Sequence, residues 1–148
     1  MNLKIIQHSL SDKDLIGEEV EPVLQVLRTN TCVTLVDLRK NHLGSKGAAC
    51  IASALNDCSF FKLYLGSNEF GPEGVKSIAD ALTLNRTLTE VQLHENKMGA
   101  QGAKYIAGAF KSNNTLTECG LFENEIGALG AEYIADALLV NSTLIRVS

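Results

Sequence analysis

Residues 88–103 read LTEVQLHENKMGAQGA, and residues 116–131 read LTECGLFENEIGALGA. Both stretches follow the pattern Leu-x-x-Val-x-Leu-x-x-Asn-x-x-Gly-x-x-Gly-Ala, with Cys119 in place of Val91. Equivalent segments begin at Val33, Phe60, Leu88, Leu116 and Leu144. The repeat length is therefore 27 residues once and 28 residues three times. A period in this range is typical of a solenoid, in which successive repeats stack on one another.

Within one repeat, the spacing of apolar residues predicts a strand followed by a helix. From Glu90 to His94 apolar and polar residues alternate, which is the period of a strand. Further on, Ala103, Ile106 and Phe110 lie on one helical stripe. The predicted fold class is α/β: a right-handed α/β solenoid, the arc of a horseshoe, with parallel strands on the concave face and helices on the convex face.

Two columns of equivalent residues indicate how the strand turns into the helix. Gly99 and Gly102 recur in the other repeats, and a missing Cβ permits a positive φ and a close approach of helix to strand. Just after each strand an asparagine recurs, where a short amide side chain binds backbone groups that the turn leaves unpaired. These residues, which we expect to form a stacked ladder, are Asn41, Asn68, Asn96 and Asn124.

The leucine pattern, the paired glycines, the Ile-Ala-x-Ala-Leu helix and the Asn-x-Thr turn resemble the ribonuclease-inhibitor-like subtype of leucine-rich repeat. The resemblance covers residues 33–148, divided into repeats 33–59, 60–87, 88–115 and 116–143 and the start of a fifth at 144. Residues 1–32 follow the pattern loosely, since Lys13 replaces the ladder asparagine and Ile16 replaces the first glycine. We interpret this segment as an N-terminal capping repeat.

Leucine-rich repeats of this subtype occur in ribonuclease inhibitors, Ran GTPase-activating proteins, NOD-like receptors and tropomodulins. The resemblance therefore implies binding by a curved scaffold and no single activity.

Composition agrees with one elongated domain. The 148 residues carry 17 acidic and 13 basic side chains, a formal net charge of −4, and they lack a basic stripe, so we expect no nucleic-acid partner. No apolar run approaches the roughly 18 residues that cross a bilayer, and the first ten residues lack a secretory signal pattern. We expect no membrane partner and a cytoplasmic location.

The cysteines and the Asn-x-Thr triplets are interpreted as parts of the fold and not as functional sites. The four cysteines have spacings that fit neither a zinc motif nor a disulfide framework, so we expect free thiols, no metal and no cofactor. Three Asn-x-Thr triplets begin at Asn85, Asn113 and Asn141, at one repeat position. Their recurrence is explained by turn chemistry, and we expect no glycosylation there.

Function is expected on strand residues that face away from the core, because strands stacked about 4.8 Å apart make them one continuous surface. Tyr64 and Phe122 stand out, since large aromatic side chains are enriched among interface hot spots. The alternative is that Phe122 packs against the chain end. The partner-binding residues predicted from the alternation are Arg39, Tyr64, Glu90, Gln92, His94, Glu95, Phe122 and Glu123.

Charge on this predicted surface is segregated along the solenoid. The cations Arg39, Lys40 and Lys62 lie toward the amino-terminal end. The carboxylates toward the carboxy-terminal end are Glu90, Glu95, Glu118 and Glu123. Such a gradient would orient a dipolar protein partner, and ordinary solvated charge is the alternative.

These features favour a non-catalytic protein–protein interaction module. The stacked glutamates have the separation of a glycosidase carboxylate pair, but an open sheet lacks a pocket that shifts a pKa and excludes water. The alternative is a GTPase-activating regulator resembling Ran GTPase-activating proteins, for which Arg39 is the candidate residue. A repeat fragment of a NOD-like innate immune sensor or of a cytoskeletal scaffold is a special case of the binding hypothesis.

The carboxy-terminal end restarts the repeat at Leu144 and stops before its helix. The final strand would then offer an unpaired edge and the preceding helix an uncovered apolar flank. Two expectations follow: either the chain is a fragment of a longer repeat protein, or two copies associate end to end through residues 138–148.

Overall fold

Strands and helices alternate along the chain in the computed structural model, which describes residues 6–57 and 59–148. The capping segment contributes β1 (Ile6–Ser9), a 3₁₀ turn (Gly17–Val20) and α1 (Glu21–Thr29). The later elements are β2 (Val33–Asp37), α2 (Gly44–Ala54), β3 (Lys62–Tyr64), α3 (Gly71–Leu84), β4 (Glu90–Gln92), α4 (Gly99–Ser112), β5 (Glu118–Gly120), α5 (Gly127–Leu138) and β6 (Arg146–Val147). Within the described part of the chain, no helix has the length and apolar character needed to span a bilayer.

All six strands form one parallel sheet in the order of the sequence. The register places equivalent residues of successive repeats side by side, so that Leu63 aligns with Val91, Cys119 and Val147. Each parallel pair needs a crossover connection, and helices α1 to α5 supply the five crossovers in turn. The predicted α/β solenoid, with strands on the concave face and helices on the convex face, is confirmed.

The core lies between the sheet and the helices. Val91 and Leu93 from the β4 repeat meet the helix stripe that carries Ile106 and Phe110, and all four side chains are buried. Cys119 occupies the position of Val91 one repeat later and is also buried; burial raises the pKa of its thiol far above its ordinary value. Cys58 and the first five residues of the capping segment lie outside the described residues.

Left-handed backbone builds the turn between each strand and its helix. In the third full repeat Glu95, Lys97 and Gly99 all have φ values between 54° and 59°. Gly99 has no Cβ and adopts a positive φ without steric strain, whereas a positive φ is uncommon for Glu95 and Lys97. The turn consequently directs its backbone N–H groups toward the neighbouring repeat, where an acceptor must meet them.

For this turn the acceptor is Asn124 Oδ1, which accepts from the N–H groups of Asn96 and Met98. Asn96 plays the same part for the turn one repeat earlier and so joins two repeats. Its Nδ2 donates to the carbonyl oxygens of Leu93 in its own repeat and Leu65 in the preceding one, both at 3.0 Å. Its Oδ1 accepts from the backbone N–H groups of Asn68 at 3.1 Å and Phe70 at 3.4 Å. The same geometry recurs at Asn124.

At the capping repeat, Asn41 Oδ1 accepts from the N–H groups of Lys13 and Leu15 at 3.1 and 3.0 Å. The side chain of Lys13 is therefore not needed as a ladder member.

The ladder is incomplete beside the 27-residue repeat. Helix α2 of that repeat has 11 residues, whereas α3 and α4 have 14. Asn68 Oδ1 is buried and has no hydrogen-bond partner among residues 6–57 and 59–148. The junction between β2 and β3 thus has fewer ladder hydrogen bonds than the junctions that follow it.

A second asparagine column lies at the helix-to-strand turn, where the sequence indicated only turn chemistry. Asn113 Nδ2 donates to the Leu82 carbonyl oxygen at 2.7 Å, and its Oδ1 accepts from Leu116 N–H at 2.8 Å. Asn85 makes the equivalent contacts with Leu55 and Leu88. Both asparagines are buried, and their amide nitrogens are hydrogen-bonded within the fold.

Replacing Asn96 with alanine should lower the free energy of unfolding by a few kcal/mol, because each buried backbone group left unpaired costs about 1–3 kcal/mol. Asn114→Ala is the matched control, since Asn114 is exposed. Urea unfolding monitored by circular dichroism measures both variants, and equal midpoints would contradict the ladder's importance to stability.

Candidate functional site

The concave surface is formed by strand side chains that point away from the helices and by the residues that follow each strand. Register aligns Tyr64 with Gln92 and Gly120, and Lys62 with Glu90 and Glu118. Two positions after Tyr64, Gln92 and Gly120 come Gly66, His94 and Phe122. Of the residues predicted to bind a partner, the half-buried ones are Arg39, Tyr64, Glu90, Gln92 and His94, and the exposed ones are Glu95, Phe122 and Glu123.

Arg39 forms a clamp with Asp37 and Tyr64. Its Nε and Nη2 donate to the two carboxylate oxygens of Asp37 at 2.9 and 2.7 Å. The guanidinium carbon lies 5.2 Å from the centre of the Tyr64 ring, which is cation–π distance. Asp37 aligns with Tyr64 on the concave surface, but it is only 7% exposed, because Arg39 covers it.

The chemistry of the clamp follows from this pairing. Burial raises the pKa of Asp37, but the hydrogen bonds and charge of Arg39 outweigh that effect, so the pKa lies below its ordinary value. The guanidinium of Arg39, the candidate for a GTPase-activating role, is committed to these intramolecular contacts.

Lys62 is also neutralised within the chain. Its Nζ lies 2.7 Å from Oε2 of Glu90, and the other carboxylate oxygen, Oε1, accepts from Gln92 Nε2 at 3.2 Å. Burial of Glu90 would raise its pKa, but the hydrogen bonds from Lys62, Gln92 and Tyr64 hold it below the ordinary value. Farther along the sheet, Glu118 pairs with Arg146 at 3.4 Å.

These pairs change the predicted charge gradient. Arg39 and Lys62 have carboxylate partners, so the amino-terminal half of the concave surface is not simply positive. Glu95 and Glu123 have no cationic partner within 4.0 Å among the residues that the structure describes. The carboxylate of Glu95 accepts a hydroxyl hydrogen bond from Ser67 at 3.0 Å. The uncompensated charge of these predicted site residues is acidic and lies toward the carboxy-terminal half.

His94 and Phe122 form an aromatic stack. Their ring centres are 4.4 Å apart and their planes differ by 5°. Phe122 remains 45% exposed and lines an open cavity at the chain end together with Val147 and Ser148. Burial lowers the pKa of His94; Glu95 and Glu123 act in the opposite direction, and Arg39 in the same direction.

Gly66 makes room for this stack, and the sequence pattern alone did not indicate it. A Cβ built on Gly66 would overlap the His94 imidazole, and one built on Gly120 would overlap the Gln92 amide. Each glycine therefore lets a side chain of a neighbouring repeat lie across it. The sequence did contain a signal for these contacts: Gly66 and Gly120 stand at positions where the other repeats carry larger side chains.

The carboxy-terminal end of the solenoid presents an apolar surface. An open cavity of about 480 Å³ is lined by Phe122, Ile126, Ile134, Leu138 and Val147, among others. Beside it Leu139 is 85% exposed, and Val140 and Ile145 are also exposed. Leu129, Leu139 and Val140 occupy the positions that Gln101, Lys111 and Ser112 hold one repeat earlier.

The parallel sheet, the asparagine ladder and the left-handed turns define an α/β solenoid of strand–helix repeats. The Leucine Rich repeat family model matches residues 29–52, 58–79 and 84–107. No curated protein sequence matches the chain.

Two solved structures show how far the similarity extends. One is the actin-binding site 2 domain of leiomodin-1, with 26% sequence identity, a TM-score of 0.78, and coverage of 95% of this chain and 82% of that one. The other is the C-terminal domain of tropomodulin from Caenorhabditis elegans, with 13% identity, a TM-score of 0.75, and coverage of 95% and 86%. The second likeness is one of fold alone.

Gly66→Ala should displace the His94 imidazole from Phe122 and raise the pKa of His94 toward its ordinary value, because the ring would gain contact with water. A proton NMR titration of the imidazole measures this shift. Gly108→Ala is the control, since a Cβ there meets no atom within 4 Å. An unchanged His94 titration in the Gly66 variant would contradict the assigned packing.

Proposed function

We propose that this chain is a non-catalytic protein-binding module and that a protein partner docks on its concave surface. The observation that carries the proposal is the His94–Phe122 stack, which holds an exposed aromatic ring in a fixed orientation. A fixed ring contributes contact area at little cost in side-chain entropy. The Arg39–Tyr64 clamp supplies a second ordered contact point on the same face.

Actin is the first partner to test. The leiomodin-1 domain, whose similarity covers 95% of this chain, is an actin-binding site. That similarity supports testing actin before other proteins. A cytoplasmic location would suit such a partner.

Finer features of the repeats belong to the same proposal. We assign the ribonuclease-inhibitor-like subtype because the repeat length is 28 residues in three of four cases and each full repeat carries a helix of 11 to 14 residues. The division into a cap at 1–32 and repeats from residue 33 is supported by the start of β2 at Val33.

The double variant Tyr64→Ala with Phe122→Ala should weaken actin binding by about 2 kcal/mol or more, because truncated hot-spot aromatics commonly cost that much. Its urea midpoint should stay near that of the wild type, since neither ring belongs to the core. Isothermal titration calorimetry with monomeric actin and filament co-sedimentation measure the binding.

The matched control is Tyr105→Ala with Tyr133→Ala, which removes two aromatic rings from the convex helices α4 and α5. Binding that survives the concave variant but fails in the convex control would place the site on the helices. If actin does not bind at all, the same two variants are compared for every protein captured from lysate, and a partner insensitive to the concave variant would contradict the proposal.

We also propose that two copies associate through the carboxy-terminal end, residues 138–148. The exposed apolar residues of α5 and the segment after it, at positions where α4 is polar, support this contact. A simple continuation of the solenoid would leave the position of Leu139 exposed, since the equivalent Lys111 is exposed beside α5.

Leu139→Lys should shift a concentration-dependent dimer to monomer, because it places a charge within the proposed apolar contact. Sedimentation velocity at rising protein concentration measures the shift. Leu84→Lys, at an exposed leucine of α3, should leave the assembly unchanged. A wild-type chain that stays monomeric at every concentration would contradict self-association.

A further inference from the structure

The His94–Phe122 stack holds a titratable ring between two neighbouring repeats. On the carboxy-terminal side the imidazole lies parallel to the Phe122 ring, with 4.4 Å between the ring centres and 5° between the planes. In the preceding repeat it lies across Gly66, so closely that a Cβ there would overlap Nε2 and the two carbons beside it. The orientation of the exposed Phe122 ring therefore depends on where the imidazole of His94 stays.

This position suits the neutral imidazole and not the imidazolium. Nδ1 of His94 is buried and has no hydrogen-bond partner among residues 6–57 and 59–148. A neutral imidazole can carry its proton on Nε2 and leave Nδ1 as an acceptor, whereas an imidazolium carries a proton on both nitrogens. Protonation within the stack would place a buried N–H donor where no acceptor meets it, and the desolvation of that donor would be uncompensated.

The charged groups around the imidazole do not remove this cost. Glu95 of the same repeat and Glu123 of the next one favour the charged form, while Arg39 opposes it, and Gly66 of the preceding repeat is uncharged. Neither carboxylate lies within 4.0 Å of an imidazole nitrogen in the part of the chain that the structure describes. Both glutamates are exposed, so solvent screens their attraction.

The net effect of these surroundings disfavours a charged ring in the stack. Burial is the largest influence on His94 and lowers its pKa below the ordinary value. An imidazolium would be attracted to the face of Phe122, but at a half-exposed site this gain is smaller than the cost of an orphaned buried donor. The stacked ring consequently binds a proton less readily than a ring in water does.

We propose that protonation of His94 opens the stack, so that the concave surface holds Phe122 in a fixed orientation at neutral pH and releases it at mildly acidic pH. The stacked state binds fewer protons than the open state, so a falling pH favours the open state. The opening is a property of the chain alone, and its effect on binding rests on the proposed function.

Proton NMR of the intact chain tests the opening. A ring in water has a pKa of about 6.5, so lowering the pH from about 7.5 to about 5.5 should raise the ratio of open to stacked states by up to about tenfold. Nuclear Overhauser contacts between the His94 and Phe122 rings should weaken as the imidazole titrates. Contacts that persist after full protonation, or a His94 pKa at or above the ordinary value, would overturn the proposal.

Two histidine variants separate this switch from a general effect of pH. His94→Gln removes the titrating group and keeps a planar side chain beside Gly66, in the way that the Gln92 amide lies across Gly120. The ring signals of the phenylalanine should then no longer change over this pH range. His42→Gln removes an exposed histidine and should retain the wild-type pH dependence. Circular dichroism verifies that each variant is folded, and the opposite result in either variant would contradict the proposal.

Binding is measured with monomeric actin by calorimetry at both ends of a narrower range. The ratio of the wild-type affinity to the His94→Gln affinity cancels any titration of actin itself. From about pH 7.5 to about 6.0 this ratio should fall by up to about fourfold, the limit for one proton. An unchanged ratio would overturn the effect of the switch on binding.

These outcomes are distinguishable from failure of the proposed function. If Tyr64→Ala with Phe122→Ala weakens the protein partner but the stack persists at acidic pH, the switch is wrong and concave-face binding stands. If the stack opens with pH as expected but the partner is insensitive to the aromatic variant, the switch exists and the proposed function is wrong.

Discussion

The need to pair buried backbone groups in the strand-to-helix turns governs this structure. Left-handed residues such as Glu95 and Lys97 direct N–H groups at the next repeat, where water does not reach them. Asn124 accepts from these groups from the following repeat, and Asn96 does the same for the turn one repeat earlier. Each asparagine also donates to a carbonyl oxygen of the repeat before its own. Because each asparagine serves two repeats, the ladder fixes the strand spacing, and the spacing in turn sets which concave side chains meet.

Side chains on the concave surface are consequently ordered by neighbours in other repeats. Arg39 and Tyr64 come from adjacent repeats, as do His94 and Phe122 and the pair Lys62 and Glu90. The Lys62–Glu90 contact neutralises charge, the Arg39–Tyr64 contact holds a guanidinium over a ring, and the His94–Phe122 contact orders an exposed ring. An open sheet thus acquires a defined pattern of anchors and uncompensated carboxylates without a deep pocket, which suits recognition of an extended protein surface.

The strands, the helices and the core could be predicted from the sequence, because they depend on the repeat period. Contacts that depend on the size or conformation of a single neighbouring side chain could not. Alternation around Val91 and the stripe at Ile106 specify strand, helix and core, since each pattern has one geometric solution. The burial of Asp37 and the His94 stack depend instead on Arg39 folding back and on Gly66 being small. The second asparagine column was visible, but its bonds to the preceding helix required knowing how closely the repeats approach.

The 27-residue repeat has a mechanical consequence. A solenoid is a one-dimensional stack in which the weakest interface decides where the array opens first. Asn68 Oδ1 lacks a partner among the described residues at the β2–β3 junction, and the Arg39–Tyr64 contact crosses that same junction on the concave side. One cation–π contact therefore crosses the seam where the ladder has the fewest hydrogen bonds, so a ligand that displaces Arg39 would remove a side-chain contact between the amino-terminal block and the rest of the arc.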